Sequence, residues 1–223
     1  MEQENYDYPQ IEEAAQKAFI NVPPTHDFSH TKRVLNMCMR IGKKEGADQE
    51  ILHAAALLHD IARVEADSNQ ACHAELSALR AREILLKTSF PKDKIEDVIH
   101  CIGTHRFRSD NPPKTLEAQI LYDADKLDAI GAIGICRAYA YCGENGQRLY
   151  GSFSQNSLDV RKDETISKIT DHSRHTPIIE FRKKLSRIKD KLFTRTAREI
   201  AESRHRYMLK FFNRLYEEVK GIK

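Results

Sequence analysis

Apolar positions recur at three- and four-residue spacing along nearly the whole chain, and no convincing run of alternating β-branched residues interrupts them. The pattern predicts an all-α protein. A first helix spans about 10–20 and ends before "NVPPTHDFS"; a second runs from about Ser29 to Lys44 and stops at Gly46, a residue suited to closing a helix. Further helices are predicted over about 48–62, 71–88, 92–104 and 115–141. The polar, Gly- and Ser-containing stretch from Gly143 to Arg174 reads as a long connection and a candidate lid. Two more helices follow from about Thr176. The last, about 194–220, carries Met208, Phe211, Phe212, Leu215 and Val219 on one stripe, the mark of a core-facing side.

Four of these stripes hold ionisable residues where apolar ones are expected. His30 is in register with Val34, Met37, Cys38 and Ile41, and in "HAAALLHDIARV" His59 shares a face with Leu52, Ala55 and Ala56 and is followed by Asp60. Ile95, Val98 and Ile102 lead on to His105, while His100 falls on another face; Leu121, Asp125, Asp128 and Ala132 share one stripe. A single histidine on an apolar face is usually a hydrogen-bonded core residue. Two histidines and two carboxylates drawn from several helices make a poor core, because each costs free energy to bury without a partner. They make a good divalent-metal site, with donors suited to Mn, Fe, Ni, Co or Zn and somewhat less to Mg. Spacing alone does not separate Asp125 from Asp128.

At 223 residues, 40% hydrophobic and 31% charged, the chain has the size and composition of one soluble globular domain. It lacks a run of about 18 apolar residues and begins without a signal-peptide pattern, so a cytoplasmic address with no membrane partner is expected. Five cysteines without a C-x-x-C pair argue against a disulfide framework and a cysteine zinc site. Residues 161–223 hold 18 Lys or Arg against 9 Asp or Glu, leaving 18 against 24 in the rest. A basic tail of this kind suits either a phosphate-binding surface or a solvated helix face. A G-x-S-x-G elbow, a P-loop and a G-x-G-x-x-G are all missing, which leaves hydrolysis through a metal-activated water as the natural chemistry.

The order His30, His59-Asp60, Asp125, in the contexts "HDFSHTKRV", "AALLHDIAR" and "YDADKLDAIGAIG", resembles the HD superfamily of metal-dependent phosphohydrolases over about residues 20–140. The segment "FRKKLSRIKDKLFTRTAREIAESRHRYM" is similar to the last helices of small bacterial and archaeal HD hydrolases, which extends the likeness to a single HD-domain hydrolase over 1–223. The resemblance implies an HD-domain helical bundle with additional C-terminal helices. It implies one divalent ion held by His30, His59, Asp60 and Asp125, and prefers Asp125 over Asp128 through "ADKL". A second ion is an open alternative. His73 and His105 are candidates to bind phosphate, to protonate the leaving oxygen or to ligate that second ion, and Asp128 to orient a ligand or the attacking water. Glu65 and Asp67 are weaker acid or base candidates. Arg33, Arg63, Lys126 and Lys184 are expected phosphate contacts.

The implied substrate is a nucleotide or another small phosphorylated metabolite, with pyrophosphate or orthophosphate released. Two other readings stand beside it. One is a non-catalytic nucleotide- or RNA-binding HD protein that uses the basic C-terminal part; the other is a di-iron HD-type oxygenase that uses His73 and His105. No DNA partner is expected, and a homodimer is left open.

Overall fold

The second helix shows how this chain sets its own boundaries. The Asp27 carboxylate accepts a hydrogen bond from the Ser29 backbone N–H at 3.0 Å, capping α2 (Phe28–Glu45), and Gly46 ends it in the left-handed region at φ 80°. Two residues on, Asp48 caps α3 (Gln49–Leu58), accepting from the N–H groups of Glu50 and Ile51 at 2.9 and 3.1 Å. Its other oxygen accepts from Lys94 Nζ at 2.6 Å. Seven of the ten residues of α3 are buried, so it forms the spine of its unit.

The computed structural model describes residues 9–20, 27–69, 72–106, 111–151 and 175–223. Among them it is all-helical, with no strand. The chain divides into two compact units, residues 1–125 and 126–223. In the first, α3 packs against α2, α1 (Pro9–Ala18) and α6 (Ile95–Thr104). The short α4 (Arg63–Asn69) packs on α5 (His73–Leu85), which in turn lies along α6. A single 3-10 turn over Lys92–Lys94 leads into α6. The helix α7 (Leu116–Asp128) completes this unit, and its last residues open the second.

The second unit holds α8 (Gly131–Glu144), α9 (Pro177–Lys183), a 3-10 helix over Leu185–Lys191 and the long α10 (Arg195–Val219). Its core gathers on Phe181, whose ring lies 5.0 Å from that of Phe212 and stacks on His205 at 5.6 Å. The expected stripe of α10 is core at Met208 and Phe212 and opens to solvent by Val219, 38% exposed. The five cysteines form no disulfide.

Two helices expected to be continuous are broken. The segment 48–62 ends its regular helix at Leu58, and the chain turns through His59–Ala62 before α4 begins. The segment 115–141 breaks at Ala129–Ile130, where Arg204 donates to the Leu127 carbonyl and Gly131 restarts the chain at φ 81°. A β-carbon on Gly131 would meet the Arg204 side chain at 2.9 Å. Gly131→Ala is therefore expected to destabilise the second unit by about 1–2 kcal/mol, the cost of a left-handed non-glycine residue. A urea titration followed by circular dichroism checks this; an unchanged midpoint would contradict it. From residue 152 on, the proposed lid lies outside the described residues, as do His26, His172 and the side chain of Asp67.

Candidate functional site

The break after Leu58 builds the centre of the first unit. At the C-terminal end of α3 the last carbonyls have no partner in the helix, and His59 uses one: its Nδ1–H donates to the Ala56 carbonyl at 2.8 Å. His105 does the same at the end of α6, its Nδ1 lying 2.6 Å from the Ile102 carbonyl. Both rings thus carry a proton on Nδ1 and turn Nε2 to the interior, the arrangement that orients a histidine for a metal.

The Nε2 atoms converge on Asp60. His59 Nε2 lies 3.4 Å from His30 Nε2, and these two atoms stand 3.8 and 3.9 Å from Asp60 Oδ2. His30 Nε2 also lies 3.4 Å from Asp125 Oδ1. On the other side, Asp60 Oδ1 faces Nε2 of His105 at 3.4 Å and of His73 at 3.7 Å. That oxygen is buried without a hydrogen bond of ordinary geometry. Two groups of potential ligand atoms result, His30-His59-Asp60 and Asp60-His73-His105, and Asp60 belongs to both.

Donor atoms 3.4–3.9 Å apart are spaced as ligands each about 2.1 Å from a common centre. Imidazole Nε2 atoms and a buried carboxylate oxygen gathered at these distances are a donor set that fits a divalent ion. Arg63 Nη1 donates to Asp60 Oδ2 at 2.8 Å.

Electrostatics favour the ligating forms. Burial pushes the His59 and His73 imidazoles down to about 4, so both are neutral at pH 7. For Asp60 burial acts the other way, but His59, His105 and Arg63 together hold its carboxyl well below the usual carboxylate range. Ionised Asp60 and neutral imidazoles are the forms a metal requires. The side chains of His30, His59, Asp60 and His105 are sealed, whereas Asp125, His73 and Arg63 keep 18, 14 and 26% of theirs exposed. Access is from that side.

The other sequence candidates are placed differently. Asp128 is buried, and its Oδ2 accepts from Arg137 Nη1 at 2.9 Å. Arg33 donates to the Ser29 hydroxyl at 2.9 Å, Lys126 sits half-buried in the last turn of α7, and exposed Lys184 pairs with Glu180 at 2.9 Å. Glu65 is drawn to Arg80 at 2.9 Å. One residue escaped the sequence reading. Asp123 is fully buried, two positions before Asp125. Its helix is buried at Ala118, Ile120, Leu121 and Ala124 as well, so a single stripe could not single it out.

The HD domain family model matches residues 27–130. YpgQ of Bacillus subtilis (strain 168) is 35% identical over 201 residues, covering 88% of this chain and 86% of that protein. The crystal structure of B. subtilis YpgQ in complex with ADP superposes with a TM-score of 0.68 at 30% identity, covering 94% of this chain and 93% of that one. An HD-superfamily hydrolase from Bacillus thuringiensis superposes with a TM-score of 0.69 at 28% identity, covering 95 and 97%. With the matched region enclosing His30, His59, Asp60, His73, His105 and Asp125 in one cluster, the chain belongs to the HD superfamily of hydrolases.

Proposed function

We propose that the protein is a metal-dependent phosphohydrolase acting on nucleotides. The observation that carries the reading is the double group of ligand atoms around Asp60. His30, His59, Asp60 Oδ2 and Asp125 would hold one divalent ion; Asp60 Oδ1, His73 and His105 would hold a second. Bound there, such ions supply Lewis acidity toward phosphoryl oxygens and lower the pKa of a water to make a nucleophile. The mixed nitrogen and oxygen donors suit Mn, Fe, Co, Ni or Zn.

The chain's own residues do the rest. Asp125, the more exposed carboxylate, would complete the first ligand set from the open side. Arg63 fixes Asp60 and leaves a guanidinium beside the open side, where it meets phosphate oxygens. The sealed faces of His30, His59 and His105 keep competing water out. That a relative was crystallised with ADP supports a nucleotide as ligand.

The test is a panel of nucleoside mono-, di- and triphosphates incubated with Mn²⁺. We expect turnover of nucleoside triphosphates with pyrophosphate as the released product. Orthophosphate from monophosphates would instead make the enzyme a phosphomonoesterase. No turnover of any member, or equal turnover by His59→Ala, would refute the reading.

A further inference from the structure

The positive charge of the chain gathers near its C-terminus. Between Phe181 and Arg214 it holds 12 Lys or Arg against 3 Asp or Glu. Two of those three carboxylates lie on α10 and are already taken: Glu199 pairs with Arg195 and Glu202 with Lys189, each at 3.0 Å. Past them, from Ser203 to Arg214, the sequence has no carboxylate at all.

The period of the helix sorts this stretch into two sides. Met208 and Phe212 are buried in the second unit and His205 stacks on Phe181, so the opposite side of α10 meets water. Its exposed residues are Ser203, Arg206, Tyr207, Lys210 and Arg214. The three cations follow one another at four-residue steps, a row with about 6 Å between members and about 12 Å from end to end. Among the described residues no carboxylate pairs with Lys210. Arg214 pairs with Glu218 at 2.6 Å, but both side chains are more than half exposed, and such a pair holds weakly in water. Tyr207 stands between Arg206 and Lys210, 53% exposed, an aromatic ring open to solvent on a helix that buries its other large apolar residues.

We propose that this face binds single-stranded RNA, the row of cations taking successive backbone phosphates and Tyr207 taking a base by stacking. A row of positive charges with an aromatic among them is the combination that holds single strands, because every linkage offers a charge and every base a π-face. A duplex keeps its bases stacked on one another and gives Tyr207 nothing to hold. An anionic membrane matches less well. Helices that lie on lipid present a broad apolar face, whereas Tyr207 is the one exposed apolar side chain between Ser203 and Arg214. The exposed Ser203 hydroxyl, one turn before Tyr207, offers a partner to the ribose 2′-OH that DNA lacks. The face belongs to the second unit alone and does not depend on the phosphohydrolase reading.

Fluorescence anisotropy of a labelled single-stranded RNA of about 15 nucleotides, titrated with the full chain at low salt, tests the proposal. Arg206→Gln, Lys210→Gln and Arg214→Gln combined put a good helix former at three exposed positions, so the fold is kept and circular dichroism checks it. The combination is expected to weaken binding at least about 10-fold and to flatten the slope of log K against log salt by about 2, the share of three phosphate contacts. Tyr207→Ala is expected to weaken binding at least about 5-fold and to leave that slope unchanged. A DNA strand of the same sequence is expected to bind several-fold more weakly. Wild type that fails to bind the RNA at low salt, or a triple variant or Tyr207→Ala that binds as wild type does, overturns the proposal. Equal affinity for the DNA strand, or tighter binding to phosphatidylglycerol vesicles that the same variants lose, would give the face to another polyanion and remove RNA as its occupant.

Discussion

Replacing Asp60 with asparagine is expected to remove bound metal and activity in one step. Its two oxygens face different groups, Oδ2 toward His30 and His59 and Oδ1 toward His73 and His105. An amide keeps the shape but loses the charge, and one oxygen becomes a donor pointing at a bare imidazole nitrogen or at a cation. Losing an outer partner of a metal ligand typically costs about 10–100-fold. A residue shared by both groups should cost more, at least roughly 10³-fold in kcat/KM given how much of such chemistry runs through the ion. Plasma emission analysis of dialysed protein should find metal in wild type and none in Asp60→Asn. His105→Ala faces only one group and should keep part of the metal. An Asp60→Asn protein that retains full metal content and rate would overturn the central role given to this carboxylate.

The second large effect concerns stability. The cluster buries the Asp60 charge among imidazoles with Arg63 beside it, and a buried ion without adequate partners costs several kcal/mol. A cation that binds the folded state and not the unfolded one stabilises by about 2.7 kcal/mol when present at 100 times its dissociation constant. For a chain of this size each kcal/mol is worth about 2–4 °C. Exhaustive chelation should therefore lower Tm by roughly 5–11 °C, restored by Mn²⁺ but not by K⁺. Differential scanning calorimetry with and without chelator reads it directly. An identical Tm in both would mean that the groups hold no ion.

How far the sequence disclosed this site depends on which residues one follows. His30, His59 and Asp60 were legible because they intrude on faces that are otherwise apolar, and the C-terminal end of α2 was legible because Gly46 leaves a local chemical signature. The break after Leu58 was not. No glycine or proline marks it, and "AAALLHDIAR" has the composition of uninterrupted helix. What ends the helix is the tertiary demand that His59 and Asp60 reach one centre, which adjacent residues about 100° apart on an unbroken helix do poorly. The break at Ala129–Ile130 did carry a signal in Gly131, but glycine inside a helical pattern is often tolerated, so only its φ settles the matter. Asp128, three residues from Asp125, pairs with Arg137, a partner that no spacing rule could name. Asp123 was missed because a helix buried on several sides has no outward face to read against.

The placement of His59 and His105 at helix ends reaches beyond ligand orientation. α3 and α6 both deliver their C-termini to the cluster, and each helix carries about half a negative charge there through its aligned peptide dipoles. Together with Asp60 and Asp125 they give the bare centre a potential that draws cations and repels phosphate. On the proposed function this sets an order: a metal would bind first and reverse the local field, and only then would a polyanionic ligand gain a place to land.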